Sequence, residues 1–267
     1  MNSNEKQAED VPIDHPRYLS LKHRHKIIEG LQNLVVTEAG LIAHGRGECF
    51  DYILGEKTNV FAKNAIEAAV ALLLLARNPI ISVNGNSAAL CSKELVMLSQ
   101  YTKAPLEINL FYSKEGRIKA IQKLLEREGA SKILGIEEDK MIEIKELSSN
   151  RRRVDPDGIY LADVVFVPLE DGDRTEALKK LGKKVIAIDL NPLSRTSIWA
   201  DITIIDNIVR ALPKMIKLCK EMRHKDQSFL TKILVKYDNQ KTIQTALNFI
   251  IKYIKSQKKK AFEIVKN

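Results

Sequence analysis

The chain has 267 residues, 45% of them hydrophobic, and a formal net charge of +9. This length and composition suit one large α/β domain or two small ones, and they exclude a disordered or fibrous protein. The longest apolar run, residues 65–76, is too short to span a bilayer, and the three separated cysteines form no disulfide or zinc pattern, so we expect a reducing compartment.

The positive charge is concentrated near the C-terminus. Residues 252–266 contain six lysines and one glutamate, and without them the chain is only mildly basic. A mildly basic body suits an enzyme that acts on phosphorylated anions, because its field concentrates them. The full charge is also compatible with nucleic-acid binding.

The N-terminal region is predicted to be an arm followed by helices. Residues 1–11 show no apolar periodicity and are expected to be flexible. The sequence Asp14-His15-Pro16 is typical of a helix start. In the helix that follows, Arg17 and Arg24 share a face and stand about 10.5 Å apart along the axis, so they can span a polyphosphate. A solvated cationic face is the alternative.

A histidine, an arginine and a glutamate lie among glycines at residues 43–48. Gly45 and Gly47 bracket Arg46 between apolar flanks. Glycines at these positions free the backbone for a close approach to a ligand. We favour this interpretation over a simple helix break, which does not require His44 and Glu48 beside it. The sequence therefore predicts a functional glycine loop around Arg46.

Strands and helices alternate from Pro79 onward, which is typical of a Rossmann-like α/β fold with a doubly wound, mostly parallel sheet. An apolar helix at 59–76, opened by Thr58, precedes them. The predicted strands are 80–83, 106–110, 132–134, 163–168, a strand beginning at Val185, and 202–205. The predicted helices end at about Gln100, at Glu128 (114–128, capped by Ser113), at Leu181 and at Met222 (208–222), and a helical segment at 227–258 is interrupted near Asp238-Asn239.

We divide the chain into four parts. These are a flexible arm at 1–11, an N-terminal helical part at 12–78, a Rossmann-like core with a parallel sheet at 79–222, and C-terminal helices with a lysine-rich tail at 223–267. Within the core, residues 137–158 are polar and irregular and contain Arg151-Arg152-Arg153. They resemble an active-site lid more than a core connection.

Polar clusters follow four predicted strands, at residues 84–86, 170–175, 189–196 and 206–207. In an open parallel sheet, ligands bind beyond the carboxyl ends of the strands, so four clusters on one side favour a binding site. Ordinary turn geometry is the alternative for any one of them. The candidates for substrate binding in the first two clusters are Asn84, Asn86, Asp173, Arg174 and Thr175.

The strand that begins at Val185 breaks into a sequence suited to a nucleotide. Ser194 can cap a helical turn, and Arg195 and Thr196 then add a cation and a hydroxyl beside outward-pointing N–H groups, as in an anion site. Asp189 can take a ribose or a base. Neither GxGxxG nor the P-loop pattern occurs, which excludes a standard dinucleotide fold and a P-loop enzyme.

Three acidic residues, Glu170, Asp171 and Asp173, are candidates for holding Mg²⁺ indirectly, alongside nucleotide phosphates. Acidic residues before a helix also complement the helix dipole. The sequence leaves both roles open.

Five segments carry a resemblance to a known family: HPRYLSL at 15–21, GLIAHGRGE at 40–48, ISVNGN at 81–86, VPLEDGDRTEAL at 167–178 and DLNPLSRT at 189–196. With them, the chain from about residue 15 to 211 resembles the archaeal phosphopantothenate synthetases, also called 4-phosphopantoate:β-alanine ligases. Cys49 stands where small residues are expected in that family, and the tail after Lys258 has no matching motif. Neither departure changes the assignment.

The resemblance implies an ATP-dependent ligase of coenzyme A biosynthesis that uses Mg²⁺. Such an enzyme joins 4-phosphopantoate to β-alanine through an acyl-adenylate and releases AMP and diphosphate, in a homodimeric, cytoplasmic protein. The residues that the resemblance implies for the nucleotide are Arg24, Arg46, Asp189, Leu190, Asn191, Arg195, Thr196, Asp206 and Asn207.

Adenylation requires positive charge on an electron-rich phosphate while a carboxylate attacks it. Arg24, Arg46 and Arg195 supply that charge without proton transfer, and the last two are our candidate catalytic cations. His44 is a candidate to stabilise the leaving diphosphate or to deprotonate β-alanine. Ordering of the glycine loop is the alternative role for His44.

Two other functions fit this sequence less well. A non-catalytic nucleotide- or nucleic-acid-binding protein predicts aromatic residues among the cations, yet only 6% of residues are aromatic and most lie in apolar runs. A nicotinamide-dependent oxidoreductase lacks the required glycine fingerprint.

Overall fold

The computed structural model describes residues 11–112, 115–146 and 150–264. The strands in chain order are β1 Pro79–Val83, β2 Leu106–Ile108, β3 Ile133–Leu134, β4 Ile142–Glu143, β5 Arg153–Val154, β6 Val164–Pro168, β7 Lys184–Ile188 and β8 Ile202–Ile204. Six of them form one sheet in the order β3-β2-β1-β6-β7-β8, and every neighbouring pair is parallel. The predicted parallel α/β sheet is confirmed.

Both faces of this sheet are buried, and its strands carry apolar residues at successive positions. In β7, Val185 and Ala187 face one apolar core, whereas Ile186 and Ile188 face the other. Side chains alternate across a strand, so a continuous apolar run must be covered on both sides. This requirement explains why helices pack on both faces, as the predicted doubly wound arrangement needs.

Ten α-helices surround the sheet in the described part of the chain. They are α1 Tyr18–Gln32, α2 Glu38–Ile53, α3 Val60–Leu75, α4 Gly85–Thr102, α5 Arg117–Arg127, α6 Gly172–Lys180, α7 Arg195–Trp199, α8 Ile208–Met222, α9 Gln227–Lys236 and α10 Asn239–Ile264. Helices α3, α4 and α8 pack together on one face, and α6 packs on β7 on the other. No described helix combines the length and apolarity that a membrane crossing needs.

Several predicted helix starts are shifted in the structure. Helix α1 begins at Tyr18, after a turn in which the Arg17 N–H donates to His15 Nδ1, and so not at Asp14-His15-Pro16. Thr58 does not cap α3: its hydroxyl donates to Asp206 at 2.6 Å, and Asn59 occupies the cap position. The predicted cap Ser113 lies outside the described residues, as does most of the N-terminal arm.

The predicted glycine loop is wrong, because α2 runs without interruption through residues 43–48. Thr37 caps the helix by accepting the Gly40 N–H at 3.3 Å. A helix-interior glycine costs only about 1 kcal/mol relative to alanine, so glycines alone do not break a helix that is anchored by packing. A Cβ at Gly47 would contact Leu190 at 3.6 Å, and one at Gly45 would meet no atom within 4 Å.

Residues 137–158, predicted to resemble a lid, are partly a packed core connection. They contain the antiparallel pair β4–β5 and two 3₁₀ turns. Ile144 and Val154 belong to the buried core on one face of the sheet. Glu107 on β2 anchors the turn after β5 by accepting the N–H groups of Asp155 at 3.1 Å and Ile159 at 2.6 Å.

Candidate functional site

A large cleft of about 1140 Å³ lies between helices α1 and α2 and the carboxyl edge of the sheet. It extends across the ends of β1 and β6, which are neighbours in the sheet although the chain leaves them in opposite directions, to β2 and to β7. This topological switch point is where open parallel sheets bind ligands. The predicted site residues that line the cleft are His44, Arg46, Asn84, Asn86, Asp189, Leu190, Asn191, Arg195, Thr196 and Asn207.

The remaining predicted residues lie behind the cleft wall or on its rim. Arg24 pairs with Glu48 through its Nη2 at 2.8 Å from Oε2, and only Glu48 of this pair lines the cleft. Asp206 is buried beneath the wall. Arg174 and Thr175 are fully buried, whereas Asp173 is exposed and pairs with Arg195.

The loop after β7 is held by its own side chains. Asp189 accepts the Asn191 N–H at 2.9 Å and the Ser194 hydroxyl, and Ser194 in turn caps α7 by accepting the Ser197 N–H at 3.0 Å. Burial raises the pKa of Asp189, while these hydrogen bonds and the charge of Arg46 oppose the rise. The carboxylate therefore fixes the shape of a loop that faces the cleft.

Helix α2 brings Arg46 to this loop and His44 to the cleft. Arg46 is close enough to Asp189 for its charge to favour the ionised carboxylate, and Gly47 packs on Leu190. Burial lowers the pKa of His44, with Arg24 adding to this effect and Glu48 opposing it. The imidazole is therefore neutral at neutral pH and able to accept a proton.

Arg195 enters the site from the first residue of α7. Its guanidinium bonds to both Asp173 and Glu176, and more than half of the side chain is exposed. The hydroxyl of the next residue, Thr196, donates to the Glu170 carbonyl at 3.0 Å. Arg195 can exchange these partners for a ligand anion at small cost, because Arg195 and Asp173 are exposed and exposed ion pairs contribute little.

The two predicted asparagines of the β1 loop join elements at the switch point. Asn84 caps α4 through Ser87, and its amide also donates to the carbonyls of Pro168 at 2.9 Å and Leu169 at 3.1 Å. Asn86 donates to the Gly40 carbonyl at 2.8 Å. These bonds tie the end of β1 to the end of β6 and to α2, so the amides hold the cleft walls in register.

A buried charge network supports the opposite wall. Arg210 on α8 donates to both carboxylate oxygens of Asp51, at 2.6 and 3.0 Å, and to Asp206 at 2.9 Å. Asn207 donates to Asp51 at 2.8 Å, and Thr58 completes the contacts of Asp206. Asp206, expected from the resemblance to bind nucleotide, thus also fixes α8 against α2.

Sequence reasoning did not assign several cleft residues, among them His23, Arg117, Arg151 and Arg210. One signal was available. Arg117 lies on the buried stripe of α5 with Ile121 and Leu125. A charge on the apolar face of an amphipathic helix indicates a paired or functional group.

The family model described as phosphopantothenate/pantothenate synthetase matches residues 61–253. A protein of Thermococcus onnurineus is 54% identical over 238 residues, which cover 89% of this chain and 90% of that protein. A protein of Thermococcus kodakarensis is 53% identical, covering 89% and 91%. One of Methanosarcina mazei is 49% identical, covering 92% and 96%. All three are named 4-phosphopantoate–β-alanine ligase.

Proposed function

Because the chain belongs to the phosphopantothenate/pantothenate synthetase family, we propose that it is an ATP-dependent ligase of coenzyme A biosynthesis. It joins 4-phosphopantoate to β-alanine and forms 4′-phosphopantothenate, AMP and diphosphate. The observation that carries this proposal is the switch-point cleft, which gathers cations and hydrogen-bonding groups from α2, from the β7 loop and from the start of α7. Relatives that match nine-tenths of the chain are named for this reaction.

The nucleotide is proposed to lie over the ends of β6, β7 and β8. Leu190 and Asn191 line the cleft there, and so do Arg46 and Arg195. Arginines remain charged and present several donors in a fixed fork, which suits phosphate oxygens. Thr196 and Asn207 border the same part of the cleft.

The reaction is proposed to pass through an acyl-adenylate. A carboxylate oxygen of 4-phosphopantoate attacks the α-phosphorus of ATP, and diphosphate leaves with the electron pair of the broken P–O bond. The β-alanine amine then attacks the acyl carbon, and AMP leaves. Arg46 and Arg195 stabilise the negative charge on the phosphates, and the neutral imidazole of His44 accepts the proton that the β-alanine ammonium must lose.

Mg²⁺ is implied by the use of ATP, but the carboxylates named for it are otherwise engaged. Glu170 contacts Arg151 and Arg174, Asp171 binds Arg151 at 2.7 Å, and Asp173 pairs with Arg195. In the described ranges, no three His, Cys, Asp or Glu side chains are grouped as metal ligands. These residues do not fit a protein metal cage, and we assign no step to the ion. A homodimer in the cytoplasm stays a prediction from the resemblance.

The test of function is whether AMP forms from ATP only when both 4-phosphopantoate and β-alanine are present. AMP formation without β-alanine dependence, or formation of ADP, would contradict the proposed ligase. The adenylate is tested with 4-phosphopantoate labelled with ¹⁸O in its carboxylate, which should transfer one label to AMP. Arg46→Met should lower kcat, whereas the matched change Arg77→Met, at the amino end of the sheet, should not.

A further inference from the structure

Strand β2 and the residue after it carry two buried polar side chains on one face of the sheet. Glu107 is 0% exposed and Asn109 is 2% exposed, and their spacing of two residues directs them to the same side. Other strands bury apolar residues on this face, among them Val165 of β6 and Val185 of β7. The two polar side chains therefore need hydrogen-bond partners in the chain that covers them.

Both side chains find these partners in the main chain of one segment, the part of the chain that contains β5. Glu107 accepts the N–H groups of Asp155 at 3.1 Å and Ile159 at 2.6 Å. The Asn109 amide donates to the carbonyl of Arg153 at 2.9 Å. Because main-chain groups are the partners, these bonds fix the path of the segment as well as the two side chains.

The Glu107 carboxylate also packs directly on the backbone of Gly158. A Cβ at Gly158 would overlap Glu107 Oε2. A residue without a Cβ lets the main chain approach this closely. The fit between Glu107 and the segment is therefore steric as well as polar.

The same segment brings Arg151 to the cleft. Arg151 lines the cleft and binds Asp171, in the loop after β6, at 2.7 Å. Its main-chain carbonyl accepts a hydrogen bond from the Asn109 amide at 3.5 Å. The position of this cleft wall therefore depends on the bonds that Glu107 and Asn109 make to the segment.

We propose that Glu107 and Asn109 are positioning residues of the ligase, which hold residues 151–159 on the sheet and thereby fix the cleft wall that carries Arg151. This inference rests on the proposed function. Neither side chain is among the described residues that line the cleft. Both act through the segment and contact no substrate.

The charged groups that act on Glu107 come from three elements packed against it. Burial raises the pKa of Glu107 to about 7, while the two N–H groups and the charge of Arg174 on α6 oppose the rise and the charge of Asp155 adds to it. Lys183, before β7, also interacts with the charge of Glu107. The residues beside Glu107 in register on β1 and β3 are uncharged.

The raised pKa links attachment of the segment to a proton. When the segment detaches, water reaches Glu107 and its pKa returns toward the ordinary value of 4.5. The attached state thus retains a proton that the detached state releases. Detachment should therefore become more favourable as pH rises from about 4.5 to about 7, and level off above that.

The first test is amide hydrogen exchange, which measures local detachment without any activity. Glu107→Met and Asn109→Leu remove the polar groups and retain the approximate side-chain size. In both variants the amides of residues 151–159 should exchange about 10- to 100-fold faster, as expected when buried main-chain groups lose a partner, whereas those of β7 should not change. Glu143→Gln on β4 is the matched control, because its side chain is exposed. Unchanged exchange in the segment, or equal acceleration in β7, would overturn the proposal.

A milder variant tests the proton linkage and serves if the apolar variants do not fold. In the wild-type protein, exchange of residues 151–159 relative to an unstructured peptide should rise between about pH 5 and about pH 7, by up to about tenfold per pH unit. Glu107→Gln stays neutral and should show no such rise. A rise that persists in Glu107→Gln would belong to another group, such as Asp155, and would contradict the role of Glu107.

Turnover tests the positioning role. In Glu107→Met and Asn109→Leu, kcat/KM for ligation should fall by about 10- to 100-fold, because a displaced wall misplaces the reacting groups. ATP affinity measured by calorimetry should not change, because the nucleotide is proposed to lie over β6–β8. A parallel loss of ATP affinity would indicate damage to the whole cleft and would overturn the positioning role.

Failure of the function and failure of this inference are distinguishable. A wild-type protein that forms no AMP from ATP, 4-phosphopantoate and β-alanine would overturn the proposed function and the positioning role with it. Turnover by the wild-type protein, with unchanged kcat/KM in both variants despite faster exchange of the segment, would overturn the positioning role alone.

Discussion

Replacing Arg210 by methionine should destabilise the protein strongly, because it removes the cation shared by two buried carboxylates. Arg210 lies within 2.7 Å of both Asp51 and Asp206, whose side chains are 8% and 0% exposed. Methionine retains the apolar part of the side chain but not its charge, so the decrease in the free energy of unfolding reports on the ion pairs. Removing one partner of a buried ion pair typically costs about 3–5 kcal/mol.

The structure places the expected cost near the lower end of that range, at about 3 kcal/mol. Arg210 is 22% exposed, and both carboxylates retain uncharged donors. Asp51 keeps the Asn207 side-chain amide, and Asp206 keeps the Thr58 hydroxyl and the Asn207 N–H. For a chain of this size, 1 kcal/mol shifts Tm by about 2–4 °C. We therefore expect Tm to fall by about 6–12 °C.

The assay is urea and thermal unfolding followed by circular dichroism. Lys217→Met, at an exposed position on the same helix, is the control and should change the free energy of unfolding by less than about 0.5 kcal/mol. Adding Asp51→Asn to Arg210→Met should recover part of the loss, since a neutral amide replaces an unpaired charge. A loss no larger than that of Lys217→Met would refute the assignment of this network to fold stability.

Three further predictions concern the helices around the cleft. Gly45→Ala should raise the free energy of unfolding by about 0.5–1 kcal/mol. Gly40→Ala should lower the free energy of unfolding, because the new Cβ would lie 2.4 Å from the Asn86 side chain. Urea unfolding of the two variants measures both changes. Burial lowers the pKa of His23 to about 4, so the folded protein binds fewer protons than the unfolded chain, and stability should fall as pH decreases from 6.5 to about 4. Melting curves of His23→Gln should show a flatter pH dependence than those of the exposed control His224→Gln. Arg46→Lys should lower kcat and leave Tm almost unchanged, since lysine retains the charge of arginine but not its forked set of donors. Steady-state kinetics and melting curves test this, and a fall in Tm without a fall in kcat would contradict it.

Local sequence patterns were sufficient to predict the strands of the parallel sheet and approximately where they stop. The apolar run after Val185 predicts a strand buried on both faces, and the polar residues after it predict where the strand stops. Helix α8 was predicted with its observed bounds, because its amphipathic pattern and the Asp206-Asn207 start are contained in its own sequence. Hydrophobic periodicity and capping depend on neighbours in the chain, so a sequence contains them.

The site required the tertiary structure, because its decisive contacts join residues far apart in the chain. Arg210 and Asp51 are separated by 159 positions, and Arg117 and the Val35 carbonyl by 82. The sequence predicted a ligand contact for Arg46, which stays a prediction, and it predicted a loop where the structure has a helix, since the packing that sustains α2 comes from other elements. A local pattern can place an arginine such as Arg117 on the buried face of a helix. Which groups then pair with that arginine depends on what the fold brings against it, and the local pattern does not contain that information.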